Sequence, residues 1–204
     1  MITVWGMAMS GNCWKAAQIL KLTNQPFQWV ETDSNAGATR TPDFLAINPN
    51  GKVPAVRLAD GTVITESNAI LLHVAEGTPW LPPPGLGRTR VMEWLFFEQY
   101  SHEPYIAVAR NLLSYVKTAD RFPERMAQCR ERGAHALSVM QRRLGAHEWL
   151  TDAGPTVADL ALFAYTHVAD EGGFDLTAYP GVAAWVARVA ALPRIERLPR
   201  PVSP

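Results

Sequence analysis

The sequence predicts a two-part fold, a small α/β domain followed by an all-α helical bundle. Three observations carry this reading. Strand-like runs alternate with helical spacing over residues 1–77, residues 78–86 are dense in proline, and residues 87–204 hold long helical stretches with no convincing strand. The domains are therefore expected at 1–77 and 87–204, with 78–86 as a stiff linker.

The elements follow in chain order. Residues 2–5 are short, apolar and rich in β-branched and aromatic side chains, as a strand requires. A loop of small residues over 6–12 leads into a helix at 13–23, where Trp14, Ala17 and Leu20 share one side. Pro26 closes the turn, and residues 27–31 alternate as a second strand. Thr41, Pro42 and Asp43 form a helix start, which gives a short helix at 43–47. Asn48-Pro49-Asn50-Gly51 is a turn signal. Residues 53–58 and 62–64 make a hairpin about Asp60-Gly61, and a helix covers 66–76. The resulting order, β-α-β-α-β-β-α, suits a mixed sheet covered by helices.

Pro79, Pro82, Pro83 and Pro84 forbid helix or central strand in the next stretch. Helical spacing then runs over 88–116, 123–144, 157–170 and 182–191. Thr156 and Asp159 precede an apolar run at 160–163, so Thr156 caps that helix and Asp159 bonds back to the Thr156 N–H. This pair is a folding device with no chemistry of its own.

Charge and composition narrow the function. The 19 basic and 19 acidic residues balance to a formal net charge of zero, which argues against nucleic-acid binding driven by phosphate contacts. No run approaches the ~18 apolar residues of a membrane span, and the first residues lack the pattern of a signal peptide. Two distant cysteines, Cys13 and Cys129, form no disulfide framework, so the expected setting is the reducing cytoplasm.

Three loops of the first domain can carry chemistry. Ser10-Gly11-Asn12-Cys13 lies between a strand and a helix, where backbone N–H groups and the helix dipole favour an anion. A Cys-x-x-Cys redox pair would occupy this position, but Ser10 replaces its first cysteine. The hydroxyl can still donate to a thiolate brought by a substrate; the plain alternative is an N-cap serine followed by a buried cysteine. In Gly51-Lys52-Val53-Pro54, a cis bond before Pro54 would turn the Val53 backbone towards a peptide-like ligand, whereas a trans bond leaves an ordinary edge-strand proline. At Thr65-Glu66-Ser67-Asn68, Ser67 and the helix-start N–H groups suit a carboxylate while Glu66 suits an ammonium; the alternative is a simple capped helix.

Taken in order, these features resemble the cytosolic glutathione transferases, of a serine-type, bacterial-like kind. The resemblance covers nearly the whole chain: the early Ser-x-x-Cys, the stretch Asn48 to Pro54, Glu66-Ser67 followed by Ala69-Ile70, the proline-rich linker, and Thr156-x-x-Asp159. It implies a thioredoxin-like first domain with cis Pro54, and an activity that activates the thiol of glutathione for attack on a small hydrophobic electrophile. Glutathione would be a co-substrate, with no metal. Val53 would pair with the cysteinyl part, Glu66 and Ser67 would hold the γ-glutamyl end, and Lys52 falls where the family often uses a polar side chain. Ser10 matches the activating serine, and Asn12 is the other candidate for that role.

Candidate walls for the electrophile are Met7, Met9, Tyr100, His102, Tyr105 and Ile106, with Met9, His102 and Tyr105 foremost. Arg40 is a candidate for the glycine carboxylate of glutathione. Cys13 aligns with a usually structural cysteine. The resemblance also implies a homodimer, with Trp94, Phe96 and Phe97 at the core or the dimer surface. The main alternative activity is a glutathione-dependent disulfide reductase or peroxidase of the same fold. A noncatalytic interaction module and a glutathione-dependent isomerase or dehalogenase are further alternatives.

Overall fold

The computed structural model describes residues 1–200, which form two compact units, Met1–Thr78 with Leu198–Arg200 and Pro79–Arg197. In the first unit, β1 (Ile2–Gly6), β2 (Phe27–Glu31), β3 (Ala55–Arg57) and β4 (Val63–Thr65) make one sheet in the order β2-β1-β3-β4. β1 runs parallel to β2, from Ile2 opposite Phe27 to Gly6 opposite Glu31. It runs antiparallel to β3, which pairs antiparallel with β4. A parallel pair needs a crossover, and α1 (Gly11–Leu22) supplies it.

The core of this unit forms where the sheet meets α1 and α3 (Ser67–Val74). Val4 and Val56 on the strands, Ala16, Ile19 and Leu20 on α1, and Ile70 and Leu71 on α3 are completely buried. Each large aliphatic so enclosed contributes roughly 1.5–3 kcal/mol. The short α2 (Pro42–Ile47) starts as its sequence dictates, with Thr41 Oγ1 accepting from the Phe44 N–H and proline in the first turn. The hairpin turn uses Gly61 at φ 93° and Asp60 Oδ1, which accepts from the Thr62 N–H at 2.9 Å. Its first strand is shorter than expected, starting only at Ala55 because Pro54 has no N–H to give to a ladder, while the second lies one residue later than expected.

The second unit is helical: α4 (Leu86–Phe97), α5 (Glu103–Arg110), α6 (Pro123–Leu144), α7 (Val157–Thr166) and α8 (Pro180–Ala190). Among the described residues it contains no strand. The single helix expected over 88–116 is instead interrupted by π-helical segments at Glu98–His102 and Asn111–Tyr115. Pro104 accounts for the first interruption. It cannot donate to the carbonyl of Tyr100, and its ring pushes that carbonyl aside, so the turn before it widens. For the second interruption the structure offers no comparable cause.

α7 is buried on every side, as a central bundle helix must be. Its helical run stops at Thr166 rather than continuing to 170, and a 3₁₀ turn at Ala169–Gly172 follows. The Arg110–Glu171 ion pair, 2.7 Å long and almost wholly buried, ties α5 to that turn. The proline-rich stretch belongs to this unit, where Trp80 O accepts from the Val157 N–H at 2.9 Å. No helix among the described residues is long and apolar enough to cross a membrane.

Candidate active site

The site begins where β1 hands over to α1. Ser10 takes an extended conformation and caps the helix, its Oγ accepting from the Cys13 N–H at 3.3 Å. That bond uses a lone pair and leaves the hydroxyl hydrogen to donate elsewhere. The helix starts at Gly11, two residues earlier than its spacing suggests, so the N–H groups of Gly11 and Asn12 also belong to its positive end. The preceding loop is held by Glu31, whose carboxylate accepts from the Ala8 N–H at 3.1 Å and from the Trp29 indole at 2.7 Å. Sequence reasoning passes over Glu31, since nothing local links a strand-end acid to a loop some twenty residues earlier.

Cys13 is fully buried, and its sulfur accepts from the Met7 N–H at 3.3 Å. Burial pushes its thiol up from 9.0 to about 11, with the Ser10 and Met7 hydrogen bonds pulling only partly the other way. It is therefore a structural thiol. Folding raises its affinity for a proton, so its contribution to stability is present below pH 9 and is lost as pH climbs towards 11. Iodoacetamide at pH 8 is expected to leave Cys13 unmodified in the folded protein and to alkylate it after denaturation. Rapid labelling of the native thiol, read by peptide mass spectrometry, would contradict this.

Lys15, the second residue that sequence reasoning missed, lies in the first turns of α1. It is fully buried, and its Nζ donates to Asn12 Oδ1 at 2.9 Å, Asn68 Oδ1 at 3.3 Å and Ser67 Oγ at 3.5 Å. Ser67 Oγ also donates to Asn12 Oδ1 at 3.1 Å. These bonds bring the start of α1 together with the start of α3. The available signal was spacing, because Lys15 lies three residues after Asn12 on one helix face.

Glu66 precedes α3 at φ 65° and ψ 115°, a conformation that side chains rarely adopt, and it is exposed. Ser67 is buried beside it. The Val53–Pro54 bond is cis, with Val53 half-buried just before β3 and Lys52 exposed next to it. The Asn48 side chain holds this loop, its Nδ2 donating to Lys52 O at 2.7 Å and its Oδ1 accepting from the Asn50 N–H at 3.1 Å. Arg40 lies directly against Gly51, where any side chain would collide with the guanidinium. Two cations, Arg40 and Lys52, thus border the loop that carries Val53.

The electrophile candidates divide between the units. Met7 and Met9 are half-buried in the loop before Ser10. In the second unit His102 is fully buried, its Nε2 2.9 Å from Thr166 Oγ1. The Thr166 hydroxyl hydrogen goes to Leu162 O at 2.7 Å, so Nε2 carries the hydrogen in that contact. His102 thus belongs to the helical core and offers no surface to a ligand, contrary to the expectation from sequence. Ile106 is buried likewise. Tyr105 is half-buried and borders a groove of about 480 Å³ with Tyr100, Ser101, Arg132 and His135. Arg125 lies 5.6 Å from the centre of its ring.

Comparison with known proteins places this geometry in a family. Residues 9–76 match the family model described as glutathione S-transferase, N-terminal domain, and residues 123–188 match the C-terminal domain. A solved glutathione S-transferase from Xanthobacter autotrophicus Py2 is 64% identical, with a TM-score of 0.96 and coverage of 98% of both chains. The protein URE2 of Kluyveromyces marxianus is 28% identical over 95% of this chain, which spans 58% of that relative's length. A solved structure of Ure2p in complex with glutathione is 25% identical, with a TM-score of 0.84 and coverage of 95% of this chain and 91% of that one. With a mixed four-stranded sheet, a helical second unit and both domain models matched in order, the chain belongs to the glutathione S-transferase family.

Proposed function

We propose that this protein is a cytoplasmic glutathione transferase that binds glutathione in its first unit and activates the thiol for attack on a small hydrophobic electrophile. The observation that carries the reading is the Ser67–Asn12 contact, which joins the loop suited to a γ-glutamyl group to the helix start suited to a thiolate. In this reading the α3 N–H groups and Ser67 receive the γ-glutamyl carboxylate, and Glu66 pairs with its ammonium. The Val53 backbone pairs with the cysteinyl residue, and Lys52 and Arg40 face the glycine carboxylate.

The Ser10 hydroxyl donates to the sulfur, and the positive end of α1 adds to that stabilisation. Both lower the thiol pKa, so the proton leaves to solvent and the thiolate forms the new S–C bond as the leaving group departs. In the first unit, Met9 in the loop before Ser10 is the candidate for contact with the electrophile. Phe96 and Tyr100, 67% and 83% exposed, supply apolar surface that a second copy would cover in a homodimer. A reductase working through a mixed disulfide on the enzyme is disfavoured, because Ser10 replaces the needed cysteine and Cys13 is buried and protonated.

Calorimetric titration with glutathione, followed by conjugation of 1-chloro-2,4-dinitrobenzene, tests the reading. Saturable binding with conjugation is expected, and absence of binding would overturn it. Binding without conjugation would favour peroxidase or reductase chemistry performed by glutathione itself. Ser10→Ala should raise the bound thiol pKa by about one unit with little change in affinity. If only Asn12→Ala moves that pKa, Asn12 is the donor.

A further inference from the structure

Lys15 has no role in the chemistry described above, yet lysine is rarely fully buried unless it is paired. Enclosing an ammonium costs several kcal/mol, which its hydrogen bonds to Asn12, Ser67 and Asn68 offset only in part. Fold stability is therefore a poor reason for a lysine at this position. Its contacts suggest a better one.

We propose that Lys15 is the positioning residue of this site, holding Asn12 and Ser67 in one arrangement and so joining the thiol-activating helix start to the loop for the γ-glutamyl end. The inference rests on the glutathione reading. An ammonium only donates, so it decides which edge of each neighbouring carboxamide faces inward. Asn12 must turn Oδ1 towards Lys15, which places its Nδ2 on the opposite edge, and Asn68 is oriented in the same way. The Ser67 hydrogen also points at Asn12 Oδ1, while its oxygen accepts from Nζ.

Three N–H donors thus meet three acceptors, drawn from the first turns of α1 and α3. The ammonium adds a positive charge near two helix N-termini, which favours both the thiolate at α1 and the γ-glutamyl carboxylate at α3. Loss of Lys15 would remove the donor that fixes which edge Asn12 and Asn68 turn inward, and would leave the Ser67–Asn12 bond without its support. The bound thiol and the γ-glutamyl end would then lose their organisation together.

The test compares wild type with Lys15→Met, which keeps the chain length and removes the donors. Glutathione and S-methylglutathione are titrated by calorimetry, the bound thiol pKa is read from ultraviolet thiolate absorbance, and Tm is measured alongside. Lys15→Met should bind both ligands roughly tenfold more weakly and raise the thiol pKa by about one unit. Its Tm should fall by a few degrees, because Asn12, Asn68 and Ser67 each lose a donor; the rise in bound thiol pKa is the reading that a purely structural lysine would not move. A folded Lys15→Met with wild-type affinity and thiol pKa would overturn the proposal. Should that variant fail to fold, Lys15→Gln decides by the same readings, with wild-type values again overturning it. Wild-type protein that does not bind glutathione would overturn the functional reading itself, a result distinct from either variant's.

Discussion

Replacing Asp159 with alanine is expected to cost the helical unit roughly 3–5 kcal/mol, a large share of the ~5–15 kcal/mol that typically separates folded from unfolded protein. Asp159 is fully buried, and each of its oxygens has two donors. Oδ1 accepts from the Leu150 N–H at 3.2 Å and the Trp185 indole at 2.9 Å. Oδ2 accepts from the Thr156 N–H at 2.9 Å and the Thr156 hydroxyl at 3.2 Å. Burial pushes the carboxyl above 3.8, and these four donors hold it back.

Alanine would leave four buried donors facing a void, and each unsatisfied group is costly. Trp185→Phe removes one donor and the pyrrole half of a fully buried indole, so it should cost about 2–3 kcal/mol, less than the loss of the carboxylate itself. Urea unfolding of both variants checks the pair. A loss below about 1 kcal/mol for Asp159→Ala would show that the carboxylate only caps α7 and does not tie it to α8.

The same residue shows what a linear reading can see. Thr156 and Asp159 are three positions apart, so their reciprocal cap is legible from spacing alone, and the structure contains it. The Trp185 indole arrives from 26 residues away, and no local pattern announces that contact. The loops of the first unit were legible for a related reason. Ser10, the Gly51–Pro54 stretch and Glu66-Ser67 each sit at a strand or helix end, where turn chemistry constrains the sequence.

Lys15 was invisible because hydrophobic patterning counts a lysine as an outward-facing residue. His102 failed in the opposite direction. A polar residue on a long helix suggests a face towards a ligand, but its ring is turned inward to Thr166. Periodicity identifies the helix, whereas the direction of each face depends on what packs there. The breaks in the helix at 88–116 show the limit again, since Pro104 signals a disturbance without specifying whether the helix ends, kinks or widens.

Glu66 makes the strongest separation between stability and binding. Its φ of 65° with ψ of 115° lies outside the small left-handed region open to ordinary side chains, a strain worth roughly 1–3 kcal/mol. Glycine would relieve that strain while forfeiting about 0.5–1 kcal/mol of chain entropy. Glu66→Gly should therefore stabilise the protein by about 1 kcal/mol. Yet it should weaken glutathione binding by at least about tenfold, because the carboxylate that pairs with the γ-glutamyl ammonium is gone. Glu66→Ala keeps the strain and loses the carboxylate, so it should show the same binding defect with unchanged stability. A Glu66→Gly variant that is more stable and binds glutathione normally would remove Glu66 from the site. If both variants bind poorly and only glycine gains stability, a strained conformation is maintained here for the sake of the ligand.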